Sequence, residues 1–583
     1  MKHLQYLNKF FWKYRVRLFF GIIFIIISNV FALYPAEFVR EAFDTVLKEK
    51  ELMSSDISSI LLKYSFLIAL FAIMKGVFMF FMRQTIIVMS RKIEFDLKNE
   101  IYQQYQKLSF NFYKKNKTGD LMNRISEDVS RVRMYLGPAV MYGINITILF
   151  YLVISKMLTI NTTLTLYTLL PLPLLAVLVY SVSSNINKKS ELVQKQLSTL
   201  TTIAQESFSG IKVIKAFNSE KKTSLSFLQS CKEYTQRQLN LVKIEAFFYP
   251  SILTMIGIST VLIIYVGGIE SYKNNISTGN IAEFIIYVNM LAWPVASIGW
   301  VTSIIQRAAA SQERINNFLK VDEKIKNYSL YSKKINGKIL FKNVYFKYEN
   351  TNIQALKNIT FTIDEGETLG IIGKTGSGKS TIAHLVCRLY DIEKGMIKIG
   401  GVDIKKLNLN NLRSSIGYVP QDGYLFSGSI KDNISFSNTH TNKNRVIESS
   451  KKAKLYTDIN KFNNGFETLI GERGVKLSGG QKQRLSIARV FYKKPDIFIF
   501  DDCLSSVDAV KENEIIKSLS EESNKKTTII ISHRIASIKH ADKIIYIDDG
   551  KIIEQGTHIE LIKNKGPYFK LEKQQNKKIN DRL

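Results

Sequence analysis

The chain has 583 residues, 46% of them hydrophobic, and a formal net charge of +31; that length is too great for one core and suggests about three or four domain-sized units. The basic excess admits nucleic-acid binding, but no helix–turn–helix, zinc-finger or aromatic-stacking pattern supports it, so no nucleic-acid partner is expected. Cys231, Cys387 and Cys503 show neither disulfide nor zinc spacing and suit a reducing compartment.

Up to about residue 305 long apolar stretches recur. Six of them, near 18–36, 60–82, 137–157, 164–184, 247–269 and 281–304, approach or exceed the roughly 20 residues that cross a bilayer. The first, "LFFGIIFIIISNVFALYPA", lacks a small-residue cleavage site and reads as an anchor, not a signal peptide. Segments 83–135 and 185–245 each carry roughly ten or more Lys and Arg, whereas 158–163 and 270–280 carry almost none. Both long loops, both termini and everything after the last span are therefore expected on the cytoplasmic side of the cytoplasmic membrane.

Stretches such as "SRKIEFDLKNEIYQQYQKL" keep a helical period past the membrane limit, which predicts long helices projecting into the cytoplasm. At the turning points stand "SFNFYKKNKTGDLMNRISEDV" and "IAQESFSGIKVIKAFNSE". Apolar residues beside a Gly break suit either a short transverse helix that docks on a partner or an ordinary helical hairpin. Lys75 reads as the one clear charge within a span, either functional or snorkelling to the headgroups. Tyr142, Asn145, Asn289 and Trp293 suit a cavity for amphipathic molecules or packing between helices.

After about residue 335 the pattern becomes short apolar runs, Gly-rich turns and charged helices. "GKTGSGKS", Gly373 to Ser380, follows the apolar "TLGII" and precedes "TIAHLVCRLY", the strand, loop and helix that a phosphate loop requires. Its glycines let backbone N–H groups curl around phosphate, Lys379 reaches the terminal phosphates and the Ser380 hydroxyl suits magnesium. The apolar "IFIF" ending in Asp501 supplies a second strand whose carboxylate suits the same cation. The expected chemistry is phosphoryl transfer from ATP to water.

Between those sites lies "LSGGQKQRLSIARV". With the phosphate loop and six fused spans it makes the chain resemble an ATP-binding cassette (ABC) exporter half-transporter along nearly its whole length. The resemblance implies a multidomain protein, an all-α six-helix transmembrane domain followed by an α/β P-loop ATPase domain. Expected boundaries are 1–318 for the first, 319–336 for a linker, 337–575 for the second and 576–583 for a charged tail with no assigned role.

It also assigns residues. Tyr348 matches the aromatic that stacks on adenine. Gly373, Lys374, Thr375, Gly376, Ser377, Gly378, Lys379, Ser380 and Thr381 form the phosphate loop. Ser478, Gly479, Gly480 and Gln481 are the signature offered to ATP on an opposing subunit, and Asp508 in "SSVDA" is the D-loop aspartate. Ser380, Gln421 and Asp501 are the implied Mg2+ group; Asp502, Gln421 and His533 are the implied catalytic group. "TLIGERG", ending at Gly474, is similar to the segment that touches the intracellular loops.

One position departs from the family pattern. After the magnesium aspartate the family usually has glutamate to polarise the attacking water, and here Asp502 stands instead. Either the chain lends a slow ATP site to a heterodimer, or it is a homodimer in which Asp502 works through a shifted water. Export or lipid flopping is favoured over an ABC protein that gates a channel or regulates a partner, and no peptidase-like extension precedes the first span. Drugs, lipids and peptides all stay open as substrates.

Overall fold

The computed structural model of the chain describes residues 2–52, 57–327, 335–438, 440–471, 477–504, 509–522 and 526–580. Two compact units divide the chain, Met1–Gln106 with Thr118–Val321, and Lys107–Lys117 with Asp322–Leu583.

The first unit is helical. Its long helices are α1 (Arg15–Leu52) and α2 (Ile57–Lys107); after the short α3 (Phe110–Lys115), which belongs to the second unit, come α4 (Thr118–Ile160) and α5 (Thr162–Ser209). The short α6 (Ile211–Ala216), α7 (Glu220–Tyr272) and α8 (Thr278–Leu319) complete it. The 6 long helices are each apolar enough to cross a membrane. A span needs about 20 residues, and α2 and α7 have 51 and 53. Each therefore continues roughly 45–50 Å past that need.

Local chemistry sets their ends and bends. Ser277 and Asn280 form a reciprocal capping box that opens α8, and the Asn161 side chain accepts from the Leu164 amide at the start of α5, 2.8 Å away. Pro138 lies in a π-helical turn, Tyr135–Ala139, within α4; a wider turn accommodates a ring that lacks an N–H. On α8, Phe284, Tyr287, Val288, Leu291 and Val295 are buried, the stripe that helical periodicity turns toward one side.

The reading of Lys75 as the one charge within a span needs correction. Glu283 lies inside the sixth apolar stretch and is 0% exposed. The Tyr287 hydroxyl donates to its Oε1 at 2.8 Å, the Asn280 amide to its Oε2 at 3.0 Å, and Arg40 Nη1 lies 3.7 Å from Oε2. Beside it Lys156 donates to Glu37 at 2.8 Å. A lone glutamate barely lowers the mean hydropathy of its window, so a window average hides it; once buried, it needs the donors it has.

The second unit carries the sheets, built from β1 (Ile339–Lys347), β2 (Gln354–Ile363), β3 (Thr368–Gly373), β4 (Lys394–Ile399), β5 (Val402–Asp403) and β6 (Ile416–Val419). They continue with β7 (Ile497–Asp501), β8 (Thr527–Ile531), β9 (Lys543–Asp548) and β10 (Lys551–Gly556). One sheet has the order β2-β1-β4-β5 and is antiparallel. The other runs β10-β9-β3-β8-β7-β6, parallel except for β10.

Every residue of β7 and β8 is buried, as in parallel strands covered on both faces. Alternation then divides them: Phe498, Phe500 and Ile530 enter one core, while Ile497, Ile499, Ile529 and Ile531 enter another. Strand β8 pairs with both β3 and β7. The loops leaving the carboxyl ends of these three strands are thereby gathered at one edge, where open α/β sheets bind ligands.

Candidate active site

Strand β3 ends at Gly373, and the loop that follows opens α9 (Lys379–Val386). Two glycines are obligatory here. At Gly373, φ is +154° and a Cβ would lie 1.9 Å from the Ile547 carbonyl oxygen; at Gly378, φ is +99° and a Cβ would lie 2.4 Å from that of Ala355. Lys379 is 6% exposed, and its ammonium donates to the carbonyls of Gly373 at 2.9 Å and Lys374 at 2.6 Å. Burial lowers its pKa, while the carboxylates of Asp502 and Asp501 favour its charge. The Ser377 hydroxyl is buried with no hydrogen-bond partner among the described residues, as suits a loop shaped for an external oxyanion.

Asp501 ends β7 and is 2% exposed. The Ser380 hydroxyl donates to its Oδ1 at 2.8 Å and the Tyr418 hydroxyl approaches its Oδ2 at 3.3 Å. Burial pushes the Asp501 carboxyl upward and Asp502 adds to the rise, against the hydrogen bonds from Ser380 and Tyr418. Two adjacent buried carboxylates face one nearby ammonium, Lys379, which lowers the Asp501 pKa, and a hydroxyl beside them completes an oxygen-donor set that suits a divalent cation. Tyr418 was passed over in the sequence, although it stands three residues before Gln421 on β6, with the side-chain direction the pleat dictates.

Asp502 is 9% exposed with φ +45°, a left-handed backbone that Asp adopts more readily than most residues. Its N–H donates to the Ile531 carbonyl at 2.8 Å, and Gln421 Nε2 donates weakly to its Oδ2 at 3.4 Å. His533, half-buried, leaves β8 two residues beyond Ile531. Tyr348 follows β1, and its hydroxyl shares a hydrogen bond with Thr381 Oγ1 at 2.9 Å. Lys374 reaches out to Asp548 at 2.8 Å, and Thr375 and Gly376 are exposed at the loop tip.

The signature opens α10 (Gly479–Lys493). Ser478 Oγ accepts from the Gln481 N–H at 3.3 Å and Gln481 Oε1 accepts from the Ser478 N–H at 3.0 Å, a capping box. Gly479 and Gly480 form the first turn of α10, so their amides point out of the helix N-terminus. Asp508 and residues 472–476, with Gly474, lie outside the described residues.

Residues 107–117, at the first turning point, belong to this unit. Asn111 donates to Glu349 at 2.9 Å and Lys324 donates to it at 2.6 Å, while the Lys114 ammonium lies 5.1 Å from the Tyr348 ring centre. Phe110 and Tyr390 flank His384 on α9, with ring centres 6.2 and 6.1 Å away. Burial, helped by Lys114, pushes the His384 pKa down to about 4. Its unfolded value is about 6.5, so between those limits the unfolded chain binds a proton that the folded chain refuses. Stability is then expected to fall as pH drops through that window, by on the order of 2–3 kcal/mol. In thermal unfolding across the acidic range, His384→Leu is expected to flatten this limb; an unchanged acid slope would assign it to other groups.

Six apolar helices joined to an α/β unit with a phosphate loop, a buried acid pair and a histidine-bearing loop define a membrane-bound nucleotide hydrolase. Family models agree: that for the ABC transporter transmembrane region matches residues 18–295, and that for the ABC transporter matches 356–505. The chain is 33% identical over 573 residues to an uncharacterized ABC transporter ATP-binding protein, YknU, of Bacillus subtilis, covering 98% of this chain and 97% of that one. It is 33% identical over 570 residues to YheI of the same species, a probable multidrug resistance ATP-binding/permease protein, covering 97% and 96%. The multidrug resistance-like MdlA of Escherichia coli is 32% identical over 480 residues, covering 82% of this chain and 81% of MdlA. In fold it resembles a bacterial Atm1-family ABC exporter solved with ATP bound, at a TM-score of 0.80, 22% identity and 96% and 98% coverage.

The chain belongs to the ABC transporter family. It is a multi-pass membrane half-transporter of the multidrug exporter type, binds ATP and couples its hydrolysis to transport, and its half-transporter architecture calls for a dimer partner.

Proposed function

We propose that the chain exports an amphipathic substrate as one half of a heterodimer, and that its own phosphate loop, Asp501 and Asp502 form the slower of two ATP sites. The observation that carries this is Asp502: a short carboxylate on a left-handed backbone, 3.4 Å from Gln421. A working base must reach the attacking water, and a misplacement near 1 Å costs about a hundredfold in rate.

In this reading Ser380 and Asp501, with Gln421 nearby, would hold Mg2+, which would supply charge neutralisation for the transferred phosphoryl group. Lys379 turns from the loop carbonyls to the terminal phosphates, Tyr348 stacks on adenine, and His533 contacts the γ-phosphate. Ser478 with the Gly479 and Gly480 amides completes the partner's site, and Asp508 lies at that junction. Closure of the paired sites turns the membrane cavity outward, a two-state equilibrium that nucleotide biases.

A cavity of about 600 Å³ in the helical unit, lined by Tyr142, Trp293 and Trp300 among others, supports an apolar, aromatic-seeking substrate. Asn145 accepts from Asn29 at 3.0 Å, a bond between helices, whereas the exposed Asn289 donates to its own helix at Ile285. The intact His533 favours a second reading, a homodimer with Asp502 as its base.

Native mass measurement of the complex purified from its own membranes separates the two. One 66.8 kDa chain with a different half-transporter is the expected result, and two identical chains would support the homodimer. ATP-dependent uptake of an amphipathic dye by inverted vesicles then tests export itself; ATP turnover without uptake would favour a non-transporting role.

A further inference from the structure

The C-terminal helix, which runs into the charged tail, is hydrogen-bonded to the loop that carries His533. Helix α12 (Pro567–Asn580) is anchored by Tyr568, which is 0% exposed, and by Leu571, packed on the same core. The Tyr568 N–H donates to Glu554 at 2.9 Å and its hydroxyl meets His558 Nδ1 at 2.8 Å. Residues 568, 571 and 575 share one helical face. Gln575 on that face makes two hydrogen bonds to one loop: its Nε2 donates to the His533 carbonyl at 2.7 Å, and its Oε1 accepts from the Ile535 N–H at 3.0 Å.

This amide grips the backbone at and just beyond His533. Glu512, on α11 (Ala509–Glu522), holds the far side through Arg534 at 2.7 Å and through the Ser537 hydroxyl. Ser532 is tied to β3, its N–H donating to the Ile371 carbonyl at 3.1 Å. With neighbours on both sides restrained, the clamp holds the backbone from which the His533 imidazole projects. Only an amide of this length offers donor and acceptor together without charge; a carboxylate would repel the His533 carbonyl and a lysine would leave the Ile535 N–H unmet.

We infer that Gln575 is a positioning residue for ATP, holding the His533 loop so that its imidazole meets the terminal phosphate. This rests on the reading of His533 as the γ-phosphate contact. ADP has no such phosphate, so the clamp discriminates triphosphate from diphosphate and leaves diphosphate affinity alone. A C-terminal helix that shifts or is covered would thereby tune triphosphate binding at a distance.

The test uses the full chain in nanodiscs with AMP-PNP and ADP as probes. Gln575→Leu is expected to weaken AMP-PNP by about 3- to 10-fold with ADP affinity unchanged, while loss of the two hydrogen bonds lowers the nucleotide-free melting temperature by about 2–4 °C. A chain ending at Lys573, which keeps Tyr568 and Leu571, is expected to match it. In a His533→Ala background Gln575→Leu is expected to add nothing, because residues acting through one group are not additive. Wild-type AMP-PNP affinity in both tail variants overturns the inference, as does an equal loss for ADP or a full extra loss on top of His533→Ala. If His533→Ala itself leaves the AMP-PNP preference intact, the reading of His533 fails first, and the two failures are told apart.

Discussion

Asp502→Glu is expected to raise ATP turnover of the purified chain by about 10- to 100-fold over a slow wild type. The added methylene extends the carboxylate by about a bond length beyond the position in which it meets Gln421 at 3.4 Å, the reach a glutamate base would have. The gain is opposed by the backbone: φ at this position is +45°, and glutamate tolerates left-handed geometry less well than aspartate, at a cost of about 1 kcal/mol. A small drop in melting temperature should accompany faster hydrolysis. Steady-state phosphate release from wild type, Asp502→Glu and Asp502→Asn decides the matter. Brisk wild-type turnover abolished by Asp502→Asn would mean that aspartate is the working base, and the slow-site proposal would be wrong.

Lys379→Met should lower kcat/KM for ATP by about 10²- to 10³-fold, the usual scale for removing one preorganised charge from a phosphoryl-transfer site. The size of the effect follows from burial. At 6% exposure little water is available to replace the ammonium, and the acid pair Asp501 and Asp502 would face incoming phosphate without it. Lys379 also ties the loop through the Gly373 and Lys374 carbonyls, so part of any loss is structural. That part should appear without nucleotide as a stability decrease of about 1 kcal/mol. Measuring melting temperature without nucleotide beside kcat/KM separates the two; retention of activity within tenfold would remove Lys379 from the phosphate site.

The legible part of the site was contiguous. Gly373 to Ser380 is one loop whose glycines and lysine act within eight residues of each other, and local spacing there is almost the whole of the geometry. Tyr418 and Gln575 were not legible in this way. Tyr418 reaches Asp501 across 83 residues and Gln575 reaches His533 across 42, and neither separation leaves a periodic trace. The signature was legible as a string but not in its local work, since the capping box uses Gln481 for the turn of its own helix. Glu283 was missed for another reason: hydropathy averages over a window, whereas burial acts on one carboxylate at a time.

Sequence alone determined the six spans, their basic cytoplasmic loops and the phosphate loop, because hydrophobic length, charge bias and glycine-dependent turns are properties of neighbouring residues. Tertiary structure alone decided that β8 separates β3 from β7, bringing loop, acid pair and His533 to one sheet edge. It also decided that Glu283 is fully paired and that the tail helix grips the His533 loop. These depend on strand order and helix docking, where hydrogen-bond partners are chosen by proximity in space and not by separation along the chain.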